Sequence, residues 1–486
     1  MNNYNDLIEM MFADGTLDSS VRQEIEGLSD LQKRLHIVKI LDKGLGLFTK
    51  IESIMNLPKM EYITEVIKIL KDYVLIADVE KKKFGEVMTP LTLVKEMLAT
   101  LPDDFWKNPS LKILDPSNGT GPYPIMAIYK LMNGLKDTES NDEKRYKHIV
   151  EEIIYVCELQ PKNMFLYMCA IDPHDRYNLK VYTGSFLKAD FDSHMDIVWG
   201  TKKFSLIFGN PPYNPPISND VKKGTTGNFI WDKFVMKSID LIEDKGFLNF
   251  VHPPGWRKPT SEKAKNKGLL DVISKLQIHY LEIHDVRDGL KVFGAGTRYD
   301  FYLIENSKTY KETIIKSEDG KIQSINLPDW KFIPNKCFDE IKSILASASD
   351  EVCPVVYDRT SYGADKKHIS RERSDLYCYP VVHATNKSGV RYVYSCLNNK
   401  GHYGVKKVIF GDSGINDVVI DINGDYAMSH HAMGILVESV EEAEFIKTAL
   451  LSKKFKVIID SLSYSNFTVD WKMFTFFKRD FWKEFT

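Results

Sequence analysis

The sequence of 486 residues has little of several things that would have classified it at once. Its six cysteines, at positions 157, 169, 337, 353, 378 and 396, form no C-x-x-C pair. They read as reduced, buried thiols, and neither a disulfide framework nor a zinc site is expected. No apolar run approaches the ~18 residues that a membrane span requires. Met1 to Phe12 lacks a basic stretch and carries Asp6 and Glu9, which is not the pattern of a secretory signal. A soluble intracellular protein is therefore expected. An excess of one charge is missing too: at a net charge of −2, any affinity for nucleic acid has to come from local patches. Internal repeats and low-complexity tracts are not seen. What remains is the composition of a folded protein, 43% hydrophobic and 27% charged, long enough for two to four domains.

Three sections differ in pattern. Residues 1–80 carry helical periodicity, with Leu28, Leu31, Leu35, Val38 and Leu41 at three- and four-residue steps. They read as a helical N-terminal region closed by the polar linker Glu80 to Lys83. In 81–310 short apolar runs alternate with helical patterns: Leu111–Leu114, Ile153–Val156, Leu206–Phe208 and Phe247–Val251. Near-continuous apolar strands separated by helices indicate a parallel sheet covered on both faces, whose ligands sit beyond the carboxyl ends of its strands. From 311 to 486 prolines punctuate β-rich runs such as Val390–Ser395 and Val405–Phe410, which read as a separate α+β domain.

The loops after the middle strands carry the chemistry. Asp115-Pro116-Ser117-Asn118-Gly119-Thr120-Gly121 follows the first strand, and its two glycines let the backbone approach a ligand closely. The third glycine of a dinucleotide fingerprint is missing. Pro122 and Pro124 also remove N–H donors from the start of the next helix, where a pyrophosphate would need them. A nucleoside without phosphate, such as S-adenosylmethionine, fits better. Glu158, at the tip of the next strand, is placed to accept hydrogen bonds from ribose hydroxyls, and the charged stretch Lys136–Lys147 before it reads as a surface insertion. The most specific element is Asn210-Pro211-Pro212-Tyr213 after Phe204–Gly209. Such a tetrapeptide arises by chance in about one in a hundred chains of this length. A rigid turn accounts for the prolines alone. An exocyclic amine conjugated to a ring is a poor nucleophile, and the Asn210 side-chain oxygen and the Pro211 carbonyl can each accept one of its hydrogens. Those bonds favour the pyramidal nitrogen of the transition state, while Tyr213 offers a flat face to a base that must be flipped out of a duplex.

These motifs, in this order, resemble those of the N6-adenine DNA methyltransferases, in the gamma arrangement with the recognition region at the carboxyl end. The resemblance covers about residues 85–305. It implies an α/β, Rossmann-like S-adenosylmethionine-dependent methyltransferase domain, a helical N-terminal region and a C-terminal α+β target recognition domain. It further implies that Phe84–Pro90, with Thr89 and Pro90, packs over the methionine part of the cofactor, and that Asp115, Pro116, Ser117, Gly119, Gly121 and Glu158 bind the rest. Asn210, Pro211, Pro212 and Tyr213 would be catalytic. Ser185 stands where the family commonly has an acid for the adenine amine, with Phe186 against the adenine ring and Asp190 a weaker substitute. Val292-Phe293-Gly294 matches the segment whose aromatic residue stacks on the flipped base, so Phe293 is expected to sandwich it with Tyr213.

Double-stranded DNA is the expected partner, beside a separate cognate restriction endonuclease, and the chain is expected to act as monomer or dimer. Residues 361–410 hold nine basic and three acidic residues, interleaved with tyrosines and histidines, whereas 411–450 hold one lysine and eight acids. This segregation suggests one face toward DNA. Arg257, Lys258, Lys263, Lys265 and Lys267 after Trp256, together with Arg391, are the expected phosphate contacts. Adjacent His430 and His431 cannot both ligate one metal from a regular element, so no metal is expected. Two alternatives remain: an RNA guanine-N2 or protein glutamine methyltransferase sharing Asn-Pro-Pro-Tyr, and a bifunctional restriction–modification enzyme with a nuclease cluster at Asp72, Glu80 and Lys82.

Overall fold

The computed structural model describes residues 3–42, 47–76, 89–214, 229–259, 268–361, 366–386, 388–464 and 469–486. The linker Glu80–Lys83, Phe84–Met88, Lys263, Lys265 and Lys267 lie outside them.

The middle section is built on one sheet. Its strands are β1 (Ile113–Asp115), β2 (Ile154–Glu158), β3 (Lys180–Thr183), β4 (Phe204–Gly209), β5 (Ile242–His252), β6 (Gln277–His284), β7 (Tyr299–Glu305), β8 (Thr313–Lys316) and β9 (Ile322–Ile325). Their spatial order is β3-β2-β1-β4-β5-β7-β6-β8-β9. From β3 to β5 all pairs are parallel, and β7 runs antiparallel to both β5 and β6. The order reverses at β1, which lies between β2 and β4, so the loops after β1 and β4 leave the sheet side by side. That is where an open parallel sheet forms its ligand crevice. The sheet continues through β9, past the boundary at 310 that composition suggested.

Alternation along the strands explains why the apolar runs are unbroken. In β1 and β2, Ile113, Ile154 and Val156 enter one core, while Leu114, Tyr155 and Cys157 enter a second one. With both faces buried, each residue of the run has an apolar destination. The first core is covered by helices Leu91–Leu98, Pro122–Gly134 and Pro161–Ile171 and by the N-terminal helices. These N-terminal helices are as helical as the periodicity implied, and they share this core rather than forming one of their own. Tyr4 and Tyr62 donate their hydroxyls to the carbonyls of Asp172 and Ala170 at the end of helix Pro161–Ile171. The charged stretch 136–147 is more than a surface insertion. Tyr146, fully buried, caps the same helix end by donating to Ile171 O, beneath the Lys59 ammonium.

The carboxyl-terminal section is α+β, as its composition indicated. It holds two four-stranded sheets built from β10 (Val355–Val356), β11 (Ile369–Ser370), β12 (Tyr379–Asn386), β13 (Gly389–Ser395), β14 (Lys407–Gly411), β15 (Val418–Asp421), β16 (Ala427–Met428) and β17 (Ala432–Leu436). One is ordered β10-β17-β14-β15 and the other β11-β13-β12-β16. Helices Val440–Leu451 and Lys453–Ser461 pack on the first through an aromatic cluster around Phe455, Phe474 and Phe481. Among the described residues, no helix is long and apolar enough to cross a membrane.

Candidate active site

The loop after β1 is shaped by its own carboxylate. Asp115 is buried, and its Oδ1 accepts the Ser117 N–H at 3.0 Å, which turns the chain sharply beyond the strand. Asn118 N then donates to Cys157 O on β2, and Gly119 N donates to Glu158 Oε2 at 2.7 Å. The two acids expected at the strand tips therefore hold the glycine loop between them. Gly121 sits at φ +94°, and a Cβ there would lie 2.3 Å from the Tyr167 ring. Only glycine meets both the left-handed backbone and the close approach. Helix Pro122–Gly134 starts immediately after, with proline in its first turn. The donors that would cradle a phosphate are thus missing where the sequence placed the gap.

The Asn210–Tyr213 corner leaves β4 beside this loop. Gly209 makes the approach possible: a Cβ on it would meet Asp115 Oδ1 at 3.0 Å. Ser117 Oγ donates to Asn210 O at 3.3 Å, and Asn210 Nδ2 donates to Thr89 Oγ1 at 3.1 Å. Thr89 is buried and precedes helix Leu91–Leu98, for which Pro90 is the N-cap. Holding the amide nitrogen on Thr89 turns the amide oxygen to the opposite side. Pro211 is buried, whereas Asn210, Pro212 and Tyr213 are half-buried, so the corner is neither in the core nor free on the surface. The Tyr213 ring packs on the second core, and its hydroxyl has no hydrogen-bond partner among the described residues. Burial and the nearby Asp300 carboxylate push its pKa up, so it stays a neutral phenol.

The electrostatics of the crevice call for a positively charged ligand. Asp115 has its pKa raised well above the carboxylate range by burial and by Glu158 beside it, opposed by the Ser117 hydrogen bond. Among the described residues no cation pairs with it, and its Oδ2 accepts no hydrogen bond. A ligand with an ammonium or sulfonium charge and hydroxyl donors would answer both needs. S-adenosylmethionine has this chemistry, so the residues present fit it. Asp115, Glu158, Gly119 and Gly121 would hold it, with the half-buried Gly184-Ser185 turn at the edge of β3.

Several expected contacts do not survive in three dimensions. Phe186 is fully buried, stacked on Phe234 at 5.1 Å with Phe191 against its other side and Lys237 over the ring, so no face is left for an adenine. Asp190 is exposed. Phe293 is 2% exposed, closes the helix Val286–Phe293 and packs edge-on to Tyr299. It belongs to the first core while Tyr213 packs on the second, so the two rings lie on opposite faces of the sheet and do not form a base sandwich. Arg257 is a third correction. It is 0% exposed, donating from Nε to Asp300 at 2.7 Å and from its terminal nitrogens to Ile333 O and Asn335 Oδ1. It ties the loop after β5 to the carboxyl-terminal section and cannot reach a phosphate. Lys258 is half-buried and faces Asp470 at 3.9 Å, while Arg391 is exposed.

Two residues escaped the sequence reading. Asp300, an acid inside the apolar run of β7, takes hydrogen bonds from both Trp256 and Arg257 and faces Tyr213. The run Tyr-Asp-Phe-Tyr was its only signal. His252, at the end of β5, stacks on Trp231 at 4.4 Å. Burial, with Arg257 nearby, pushes its pKa down to about 3, so it is neutral. Its Nδ1–H donates to Pro253 O and Nε2 accepts from the Tyr302 hydroxyl, a structural assignment that leaves no proton to transfer.

A sheet reversed at β1 with an antiparallel β7, a glycine loop after the first strand and Asn-Pro-Pro-Tyr after the fourth make up a Rossmann-like α/β domain. Residues 68–256 match the model of the N-6 DNA Methylase family, about two fifths of the chain. It is similar to an uncharacterized adenine-specific methylase of Mycoplasma pneumoniae, 23% identical over 35% of this chain and 55% of that protein. It is also similar to the modification methylase CviBIII of Paramecium bursaria Chlorella virus NC1A, 24% identical over 48% and 54%. The chain thus spans about half the length of these curated relatives. In fold it is similar to a nuclease-deletion mutant of the Type ISP restriction–modification enzyme LlaGI, with a TM-score of 0.52 at 12% identity, over 93% of this chain and 55% of that one.

Proposed function

We propose that this protein is a sequence-specific DNA methyltransferase of the gamma arrangement, acting on the N6 amine of an adenine flipped out of duplex DNA, with S-adenosylmethionine as donor. The observation that carries this reading is the pair of hydrogen bonds from Ser117 to Asn210 and from Asn210 to Thr89, which fasten the amine-binding corner to the glycine loop and to the start of helix Leu91–Leu98. A corner on one strand tip and a cofactor loop on the neighbouring tip bring methyl donor and acceptor into a single crevice.

When bound, S-adenosylmethionine supplies a methyl group on a sulfonium that has a good leaving group. The chain's own residues do the rest. Asn210 Oδ1 and the Pro211 carbonyl accept the two amine hydrogens, which strengthens as the nitrogen becomes pyramidal and acidic in the transition state. The two prolines hold that carbonyl without rearrangement. Tyr213, a neutral phenol, presents its ring to the base. Residues 81–310, with the sheet running on through β9, would make up the catalytic domain and the rest of 311–486 the part that reads the target. The family match of residues 68–256 to DNA methylases favours DNA over RNA or a protein amide as substrate.

The test is to incubate the full chain with labelled cofactor and, side by side, duplex DNA, RNA and protein, and to read modified bases in DNA from expressing cells. Label in DNA and N6-methyladenine at one sequence are expected. Label only in RNA or protein would overturn the assignment.

A further inference from the structure

We propose that the carboxyl-terminal section contains a built anion site, formed by His383, His430 and His431 with Arg359, Arg371 and Arg391, that grips a backbone phosphate of the DNA duplex. The inference rests on the DNA-methyltransferase reading and adds to it the place where the recognition section takes hold of the backbone.

The geometry starts from a defect in a strand. The pairing of β12 with β13 slips between Val382 and Ala384, so His383 is the extra residue of a bulge. Bulges re-aim side chains, and they are retained where that matters. Re-aimed, His383 lies edge-on to the His431 ring at 5.3 Å, and His431 lies 4.0 Å from the His430 ring. His383 Nδ1 is fixed by Ser429 Oγ at 3.0 Å. Arginines approach from three elements. Arg391 stands on β13 opposite Ala384, next to the bulge, and Arg371 follows β11. Arg359 reaches over the Tyr357 ring, whose hydroxyl donates to His430 O. All three arginines are exposed, and among the described residues none has an ion-pair partner.

Three guanidinium groups set around these rings repel one another, and among the described residues none of the three has a carboxylate partner. The Asp412 carboxylate faces the group, 3.4 Å from His431 Nδ1. It does not neutralise the rest. The pKa of His383 is pushed down to about 4 by burial, then by Arg391, His431, His430 and Arg371. That of His430 is lowered by burial, then by His431, with Asp412 opposing and Arg359 adding to it. In the free protein burial first, and then the cationic neighbours, disfavour the charged forms of His383 and His430. A phosphate set among them would reverse the balance, because an anion favours the charged form. Binding would then take up protons, and affinity would rise as pH falls. A metal is not the better occupant: among the described residues no cluster has metal-holding geometry.

The experiment measures binding of the full chain to a mixed-sequence duplex, by fluorescence anisotropy, as a function of salt at pH 6 and pH 8. It compares wild type, Arg371→Gln/Arg391→Gln and His430→Gln/His431→Gln, with thermal melting to show that each variant is folded. Each lost phosphate contact should make the slope of log K against log salt shallower by about 0.9. The arginine variant should thus lose up to about 1.8 of slope, and about tenfold in affinity at moderate salt. Wild type should bind more tightly at pH 6 than at pH 8, and the histidine variant should lose most of that difference. Equal slopes and equal pH dependence in all three folded proteins would overturn the site while leaving the methyltransferase reading intact. A wild-type chain that binds no duplex at either pH would overturn both.

Discussion

Replacing Arg257 by alanine separates a structural arginine from a DNA-contacting one. Arg257 and Asp300 are both fully buried and joined at 2.7 Å, with Trp256 donating to the same carboxylate oxygen. Removing the guanidinium leaves a carboxylate without a counter-charge and orphans two further acceptors, Ile333 O and Asn335 Oδ1. Breaking a buried pair from one side costs about 3–5 kcal/mol. The sign of the pH dependence follows from Asp300. Burial already holds its pKa above the ordinary carboxylate value, with Arg257 as the largest opposing influence. Without Arg257 it rises further, so the folded state binds that proton more tightly than the unfolded chain. The loss is then greatest above the folded pKa, where Asp300 must be ionised, and shrinks as pH falls through it toward the unfolded value. Urea unfolding followed by tryptophan fluorescence at pH 7.5 and pH 5 measures both, and the deficit should be smaller at pH 5. The double variant Arg257→Met/Asp300→Leu should recover most of the stability, because neither charge is then left alone. A variant Arg257→Ala that unfolds like wild type and only loses DNA affinity would refute the argument.

Asn210→Ala should lower the single-turnover methylation rate by at least about a hundredfold while duplex binding persists. Thr89→Val, which removes the acceptor of the Asn210 amide, should lower the rate up to about tenfold. A rate within twofold of wild type for Asn210→Ala would remove the catalytic assignment. Gly121→Ala should cost about 2–5 kcal/mol, from a left-handed backbone and contact with the Tyr167 ring. Gly119→Ala, where a Cβ meets open space, should cost clearly less by thermal melting. Equal melting shifts would show that the Tyr167 contact is not limiting. Because Asp115 is held protonated to an unusually high pH in the free protein, a cationic cofactor should displace that proton. Cofactor affinity measured by calorimetry should therefore rise with pH, and Asp115→Asn should bind more weakly and flatten the profile; a wild-type affinity that falls with pH would contradict this.

The sequence by itself determined the parts whose information is local. The near-continuous, short apolar runs of β1, β2 and β4, alternating with helical patterns, read as strands covered on both faces. The Pro-Pro corner, the paired glycines and the prolines after them dictate backbone shape and available donors through their own stereochemistry, whatever surrounds them. The positions of Asp115, Glu158, Asn210 and Thr89 around one crevice follow from that pattern once the strand order reverses at β1. Only the tertiary structure decided which way side chains of ambiguous character face. Phe186 and Phe293 are aromatic residues next to expected ligand positions, and both turn into a core, because burying a ring among rings gains more than leaving a face in water. Arg257 reads as basic and loop-borne, but Asp300, 43 positions away in sequence, gives it a buried partner. His383 is one histidine among many until a one-residue slip between β12 and β13 turns it toward His431. Each of these outcomes depends on what lies across the fold, and contacts between distant segments have no local signature in the chain.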